Sequence, residues 1–144
     1  MEVRLPVRAY LHGKLARVFE YVRPVNRRCP SADFLLKEAE KKMRDRFKGQ
    51  LDAMTKDGGG TEYENQQRFT PLHGKGKPLW ELKEHDHRLY CARLPRDAEN
   101  MDIVLFNGWK KDKEGRSDKE DRQIEKAISF HNEFLAEYPG GNIP

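Results

Sequence analysis
Apolar residues recur along this chain at two spacings, and the switches between them mark out the elements. Residues 3–11 alternate, with Val3, Leu5, Val7, Ala9 and Leu11 on one side and Arg4, Pro6, Arg8 and Tyr10 on the other. This predicts a strand, which Pro6 confines to a sheet edge. His12-Gly13 forms a turn, and residues 15–23 read as a second strand rich in β-branched and aromatic residues. The spacing then lengthens. Pro30-Ser31 opens a helix whose apolar stripe is Phe34, Leu35, Ala39, Met43, Phe47, Leu51 and Met54. Gly49 is the expected point of a kink or a division into two helices. Asp57-Gly58-Gly59-Gly60 ends it, and residues 61–76 read as a polar, Gly-rich loop with one helical turn around Glu64–Arg68.

Three short strands follow: Leu79–Lys83, His87–Leu94 and Asp102–Trp109. Glu84-His85-Asp86 and residues 95–100 are the turns between them, short enough to imply an antiparallel meander. Ile103-Val104-Leu105-Phe106 is continuously apolar, as expected of a central strand covered on both faces. Ser117-Asp118-Lys119-Glu120 is a capping box. The helix behind it carries Ile124, Ala127, Ile128, His131, Phe134, Leu135 and Tyr138 on one stripe, and Pro139-Gly140-Gly141 stops it. The pattern specifies one α+β domain. It has a four-to-five-stranded, mostly antiparallel sheet, a long N-terminal helix or helix pair, and a C-terminal helix. Residues 1–14 are expected to be a basic extension, 15–139 the domain, and 140–144 a tail.

Charge adds a partner class. Residues 1–28 hold seven Lys/Arg against two acids, within a chain whose formal net charge is +4. A basic segment favours polyanions through phosphate neutralisation and counterion release; a solvated charged surface is the plainer reading. No apolar run approaches the roughly 20 residues of a membrane span, and no apolar block follows the N-terminus, so a cytoplasmic location is expected. Cys29 and Cys91 form no C-x-x-C and are expected to be free thiols.

Chemistry concentrates in residues 77–111, where Trp, Tyr, Arg, His and paired Lys are interleaved along the meander. Pro78-Leu79-Trp80-Glu81-Leu82, then Arg88-Leu89-Tyr90, then Ile103-Val104-Leu105-Phe106-Asn107-Gly108-Trp109-Lys110-Lys111 form an ordered set. In that set, and in Cys29-Pro30 followed by Phe34-Leu35, the chain resembles the RelE/ParE toxin superfamily, in particular its HigB-like, phage-derived host-inhibition branch. The resemblance covers about residues 15–138; residues 1–14 and the loop 57–76 depart from it. It implies a RelE-like fold and the toxin of a type II toxin–antitoxin pair. Such a toxin acts as a ribosome-dependent mRNA endoribonuclease that inhibits translation. Its partners would be the ribosome, mRNA and a helix-turn-helix antitoxin. A ParE-like gyrase inhibitor, or an inactive relative acting as a protein-binding module, are the alternatives, because fold alone does not choose among them.

Metal-free RNA cleavage needs a base for the 2′-hydroxyl, cations for the developing phosphate charge, and an acid for the leaving 5′-oxygen. Arg88 matches the arginine of the family's second meander strand and is the leading catalytic candidate; pairing with Glu81 or Asp86 is its structural alternative. His85 and His87 are candidates for acid and base, against a reading as exposed turn histidines. Lys83 is a weaker cation. Lys110 and Lys111 match the family's paired basic residues and are expected on RNA phosphates, as against a solvated turn. Tyr90 and Trp109 are RNA-stacking candidates, whereas Trp80, Cys91 and His131 read as packed. No cofactor, metal or small-molecule ligand is implied. His85-x-His87 lacks a further ligand at suitable spacing.

Overall fold
Six strands form one sheet in the order β1-β2-β6-β5-β4-β3. The computed structural model describes residues 7–13, 16–56, 68–97, 100–111 and 118–144. The strands are β1 (Val7–His12), β2 (Ala16–Tyr21), β3 (Phe69–Pro71), β4 (Trp80–Glu84), β5 (His87–Pro95) and β6 (Met101–Lys110). A short helix α1 (Pro30–Asp33) continues into a π-helical turn (Phe34–Glu38), and α2 (Lys41–Lys56) follows. The last helix, α3 (Asp118–Glu137), ends in a 3-10 turn (Pro139–Gly141). Among the described residues no helix is long and apolar enough to cross a membrane.

Alternation along the central strands builds two cores. Val18, Leu82, Leu89, Cys91, Ile103 and Leu105 point to one face, where Phe34, Leu35, Phe47, Leu51 and Met54 of the α1–α2 segment cover them. Phe19, Tyr21, Tyr90, Ala92, Val104 and Phe106 point to the other, under Ile124, Ala127 and Phe134 of α3. The domain is therefore a three-layer α+β fold. The apolar run of β6 is buried throughout from Met101 to Trp109, as a strand covered on both faces requires. Cys29 and Cys91 are both buried and free.

The sheet is wider than expected and mixed. β2 lies parallel to β6, with Ala16 opposite Met101 and Glu20 opposite Leu105; every other pairing is antiparallel. Three further expectations are corrected. The first helical segment breaks at Ala39, which is extended (φ −78°, ψ 141°), and not at Gly49, which lies inside α2 with open space where a Cβ would stand. The loop expected over 61–76 contains β3, whose fully buried Phe69 packs on Trp80 at 4.8 Å. Three residues ending in proline carry too little periodicity to read as a strand. The alternation of residues 3–11 does not persist. The register shifts between Ala9 and Leu11, so that Tyr10 and Leu11 both pack against the α1–α2 core. The turn at Glu64–Arg68, the glycines 58–60 and the capping Ser117 lie wholly or partly outside the described residues.

The C-terminal residues are anchored by charge. Arg17 donates from Nε and Nη2 to the two carboxylate oxygens of Asp102, each at 2.8 Å. Its guanidinium also donates to the carbonyls of Ile143 (3.1 Å) and Pro144 (3.2 Å). Ile143 is buried in the α3-side core.

A second bulge shapes the far end of β6. Leu89 pairs with Gly108 but Cys91 with Leu105, so Phe106 and Asn107 together stand opposite Tyr90. Asn107 thereby turns toward α3 and donates from Nδ2 to the Gln123 carbonyl at 3.0 Å. Gly108 comes next because nothing larger fits. A Cβ there would collide with the Phe34 ring and sit 2.6 Å from the Arg88 carbonyl oxygen.

Candidate active site
Strand register places the candidate residues in rows. Lys83 of β4 is opposite Arg88 of β5, which is opposite Trp109 of β6. One row further in, Glu81 is opposite Tyr90. Because side chains two apart share a face, these residues all lie on the α3 side of the sheet. Lys111 joins them, its Nζ 3.0 Å from the Glu120 carboxylate in the first turn of α3.

The sheet itself separates the rest of the expected cluster. His87 points to the α1–α2 side, 1% exposed, with its ring 6.0 Å from that of Phe34. Its Nδ1 lies 2.8 Å from Asp86 Oδ1. His85, in the turn at φ 54°, reaches the same side and meets Arg46 of α2 at 3.1 Å. Lys110 also turns that way, 3.2 Å from Glu40. The two histidine side chains therefore do not share a surface with Arg88; His85 meets the exposed Arg46, and His87 is buried against Phe34.

Tyr90 and Trp109 are corrections too. Tyr90 is fully buried and Trp109 7% exposed, so neither ring offers a face to a base. The indole Nε1 donates to the Tyr90 hydroxyl at 3.0 Å. Burial pushes the Tyr90 phenol well above its ordinary pKa, keeping it protonated. This pair forms the floor of the site. Trp80, read as core, is half-buried, with the Arg93 guanidinium 5.1 Å above its ring. His131 and Cys91 are packed as expected.

The walls are charged. Arg88 donates from Nη1 to the backbone carbonyls of His85 (2.6 Å) and His87 (3.0 Å), which holds its guanidinium at the hairpin end. Lys83 Nζ is 3.6 Å from Glu81, whose side chain is only 13% exposed. Burial raises the proton affinity of Glu81, and outweighs the opposing pull of Lys83 and Arg88; Glu120 adds to the rise. A carboxyl that holds its proton more tightly, set beside Lys83 and Arg88, is equipped for proton transfer beside an anion. In the sequence Glu81 stands only as a motif residue and a possible ion-pair partner of Arg88, with nothing to mark it as a proton carrier. Glu120 was read as a capping residue, and its ion pair with Lys111 spans a segment whose course no local pattern fixes.

The proton affinity of Glu81 has a stability consequence. Its folded-state value lies above the ordinary 4.5. The folded chain therefore binds more protons than the unfolded chain above that pH, and stability declines as pH rises through the folded value. Glu81→Gln keeps the neutral form. It should raise the melting temperature at pH 7–8, and the difference should shrink as pH falls toward about 4. Thermal unfolding of both proteins across that range is the check. A gap that widens toward acid pH would refute the assignment.

No protein-family profile matches this sequence, and no curated protein matches it.

Proposed function
We propose that this chain is a metal-independent endoribonuclease of the RelE-like toxin type, cutting mRNA on the ribosome and thereby inhibiting translation. The observation that carries the reading is the Glu81 carboxyl. It is poised by burial and set in register beside Lys83 and Arg88, with Lys111 on the same face. In this reading Glu81 exchanges protons with the reacting 2′-hydroxyl or the leaving 5′-oxygen. Arg88 and Lys83 stabilise charge on the phosphate, and Lys111 holds Glu120 at the rim. Buried Tyr90 and Trp109 position the strands and take no part in base stacking. His85, Arg46 and Lys110, on the opposite face, then serve as a docking rim for ribosomal RNA through phosphate contacts. A helix-turn-helix antitoxin is the proposed neutralising partner.

Induced expression in bacterial cells followed by mapping of mRNA 5′ ends tests the reading. Arrested growth with new ends in register with codons supports it. Intact mRNA with DNA breaks identifies a ParE-like gyrase inhibitor, and unimpeded growth removes the toxin reading.

A further inference from the structure
A second site lies at the seam between the parallel strands. β2 and β6 run side by side, but the chain leaves them in opposite directions. After β2 it crosses to the α1 face, and after β6 to the α3 face. In α/β sheets, such a reversal opens a crevice beyond the carboxyl ends of the strands, and ligands bind there. Here the crevice is a cavity of about 430 Å³, walled by the α1 segment on one side and α3 on the other. That size is within the range of about 300–1,000 Å³ typical of small-molecule sites.

Its lining is specific in chemistry. Arg23, Arg28, Lys37 and Lys126 bring positive charge, against Asp33 and Glu38. Asp33 is engaged by Arg28 (3.8 Å) and Lys37 (3.4 Å), and Lys126 is exposed. The Arg23 guanidinium, which also approaches Glu133 at 3.5 Å, lies 5.2 Å above the Phe130 ring. At the base is Asn107, 6% exposed and carried there by the bulge of β6. Its Nδ2 is fixed on the Gln123 carbonyl, which settles the orientation of the amide. Among the described residues its Oδ1 is buried with no hydrogen-bond partner, as is Arg23 Nε. Buried acceptors are nearly always satisfied, so an unsatisfied one on a residue that lines a cavity marks a place for a donor.

We infer that this crevice binds a nucleotide: the phosphate meets Arg28 and Lys126, and the base lies near Phe130 with an N–H on Asn107 Oδ1. Phosphate, planar ring and N–H donor together answer to the cations, the aromatic ring and the open acceptor. Phosphate alone would leave Asn107 unused, and an uncharged ring would leave the cations so. This site is separate from the Glu81–Arg88 face and does not depend on the cleavage reading.

Calorimetric titration of the full chain tests it, with the four nucleoside 5′-monophosphates, ribose 5-phosphate and inorganic phosphate as probes. At least one nucleotide should bind about tenfold more tightly than ribose 5-phosphate or phosphate. Arg28→Glu with Lys126→Glu, both at exposed positions, should weaken it by about tenfold or more. Asn107→Ala should erase the advantage of nucleotide over ribose 5-phosphate. Lys56→Gln, at an exposed position of α2 outside the crevice, should leave binding unchanged. Equal affinity for nucleotide and ribose 5-phosphate, or unaltered binding in the doubly charge-reversed variant, overturns the inference. A trinucleotide with only internal phosphates distinguishes the sources. Tighter binding than the monomer identifies a residue of an RNA chain, and weaker binding a free nucleotide.

Discussion

Asp102→Ala should destabilise the fold by about 3–5 kcal/mol, a large share of the roughly 5–15 kcal/mol by which domains are stable. The reason is what it leaves behind. Asp102 is 2% exposed and Arg17 8%, and their two hydrogen bonds are both 2.8 Å. Without the carboxylate, the Arg17 guanidinium stays buried over the Phe19 ring, with the Ile143 and Pro144 carbonyls its remaining hydrogen-bond acceptors among the described residues. Arg96, 3.7 Å from the same carboxylate, loses its partner too. Urea unfolding should show the midpoint falling with little change in slope. Replacing both residues, as Arg17→Met with Asp102→Leu, should recover much of the loss, because it removes the charge that the single change strands. A single-variant cost below about 1 kcal/mol would mean that the pair does not hold the C-terminal residues to β2 and β6.

If the chain is the endoribonuclease proposed above, Arg88→Ala should lower its ribosome-dependent mRNA cleavage by roughly 10²–10³-fold, as expected when a donor to developing phosphate charge is removed. Its hydrogen bonds to the His85 and His87 carbonyls mean that the hairpin will also loosen. The lysine variant separates the two effects. Arg88→Lys keeps the charge but not the guanidinium fork. It should regain part of the cleavage while its melting temperature stays close to that of Arg88→Ala. Primer extension on translated mRNA and thermal unfolding, run on both variants, give the two readouts. If cleavage tracks melting temperature alone, Arg88 is a structural residue of the turn.

The meander was legible because its information is local. β4, β5 and β6 are each patterned, joined by short turns, and lie within one residue of their expected bounds at nearly every end. What the pattern could not carry was pairing between distant segments. Nothing in Ala16–Tyr21 announces that it will run parallel to a strand some 85 residues on, so the pairing of β2 with β6 had no signature in the sequence. The site suffered from a related blindness. Lys83, His85, His87, Arg88 and Tyr90 are neighbours in sequence, but a sheet sends alternate residues to opposite faces. Arg88 and Tyr90, two residues apart, do share a face. The depth of that face was invisible, however, because the burial of Tyr90 and Trp109 comes from α3, laid over them from further along the chain. Asn107 reaches the crevice only through a bulge, and one extra residue in a strand has no signature in periodicity.

The parallel seam between β2 and β6 also orders the assembly of the molecule. Residues 69–110 hold β3 to β6, whose pairings with one another join near neighbours in sequence, and loop closure among them costs little entropy. β2 has to find β6 across the whole intervening chain, which is the slow kind of contact. Folding should therefore begin in the meander and finish when the β1–β2 hairpin docks. Substitutions in β2 should then chiefly speed unfolding, and those in β5 slow folding. The crevice at that seam should then be the last part of the molecule to form. Whatever binds there would hold the late-arriving strand in place, and would act on the rate at which the finished protein comes apart.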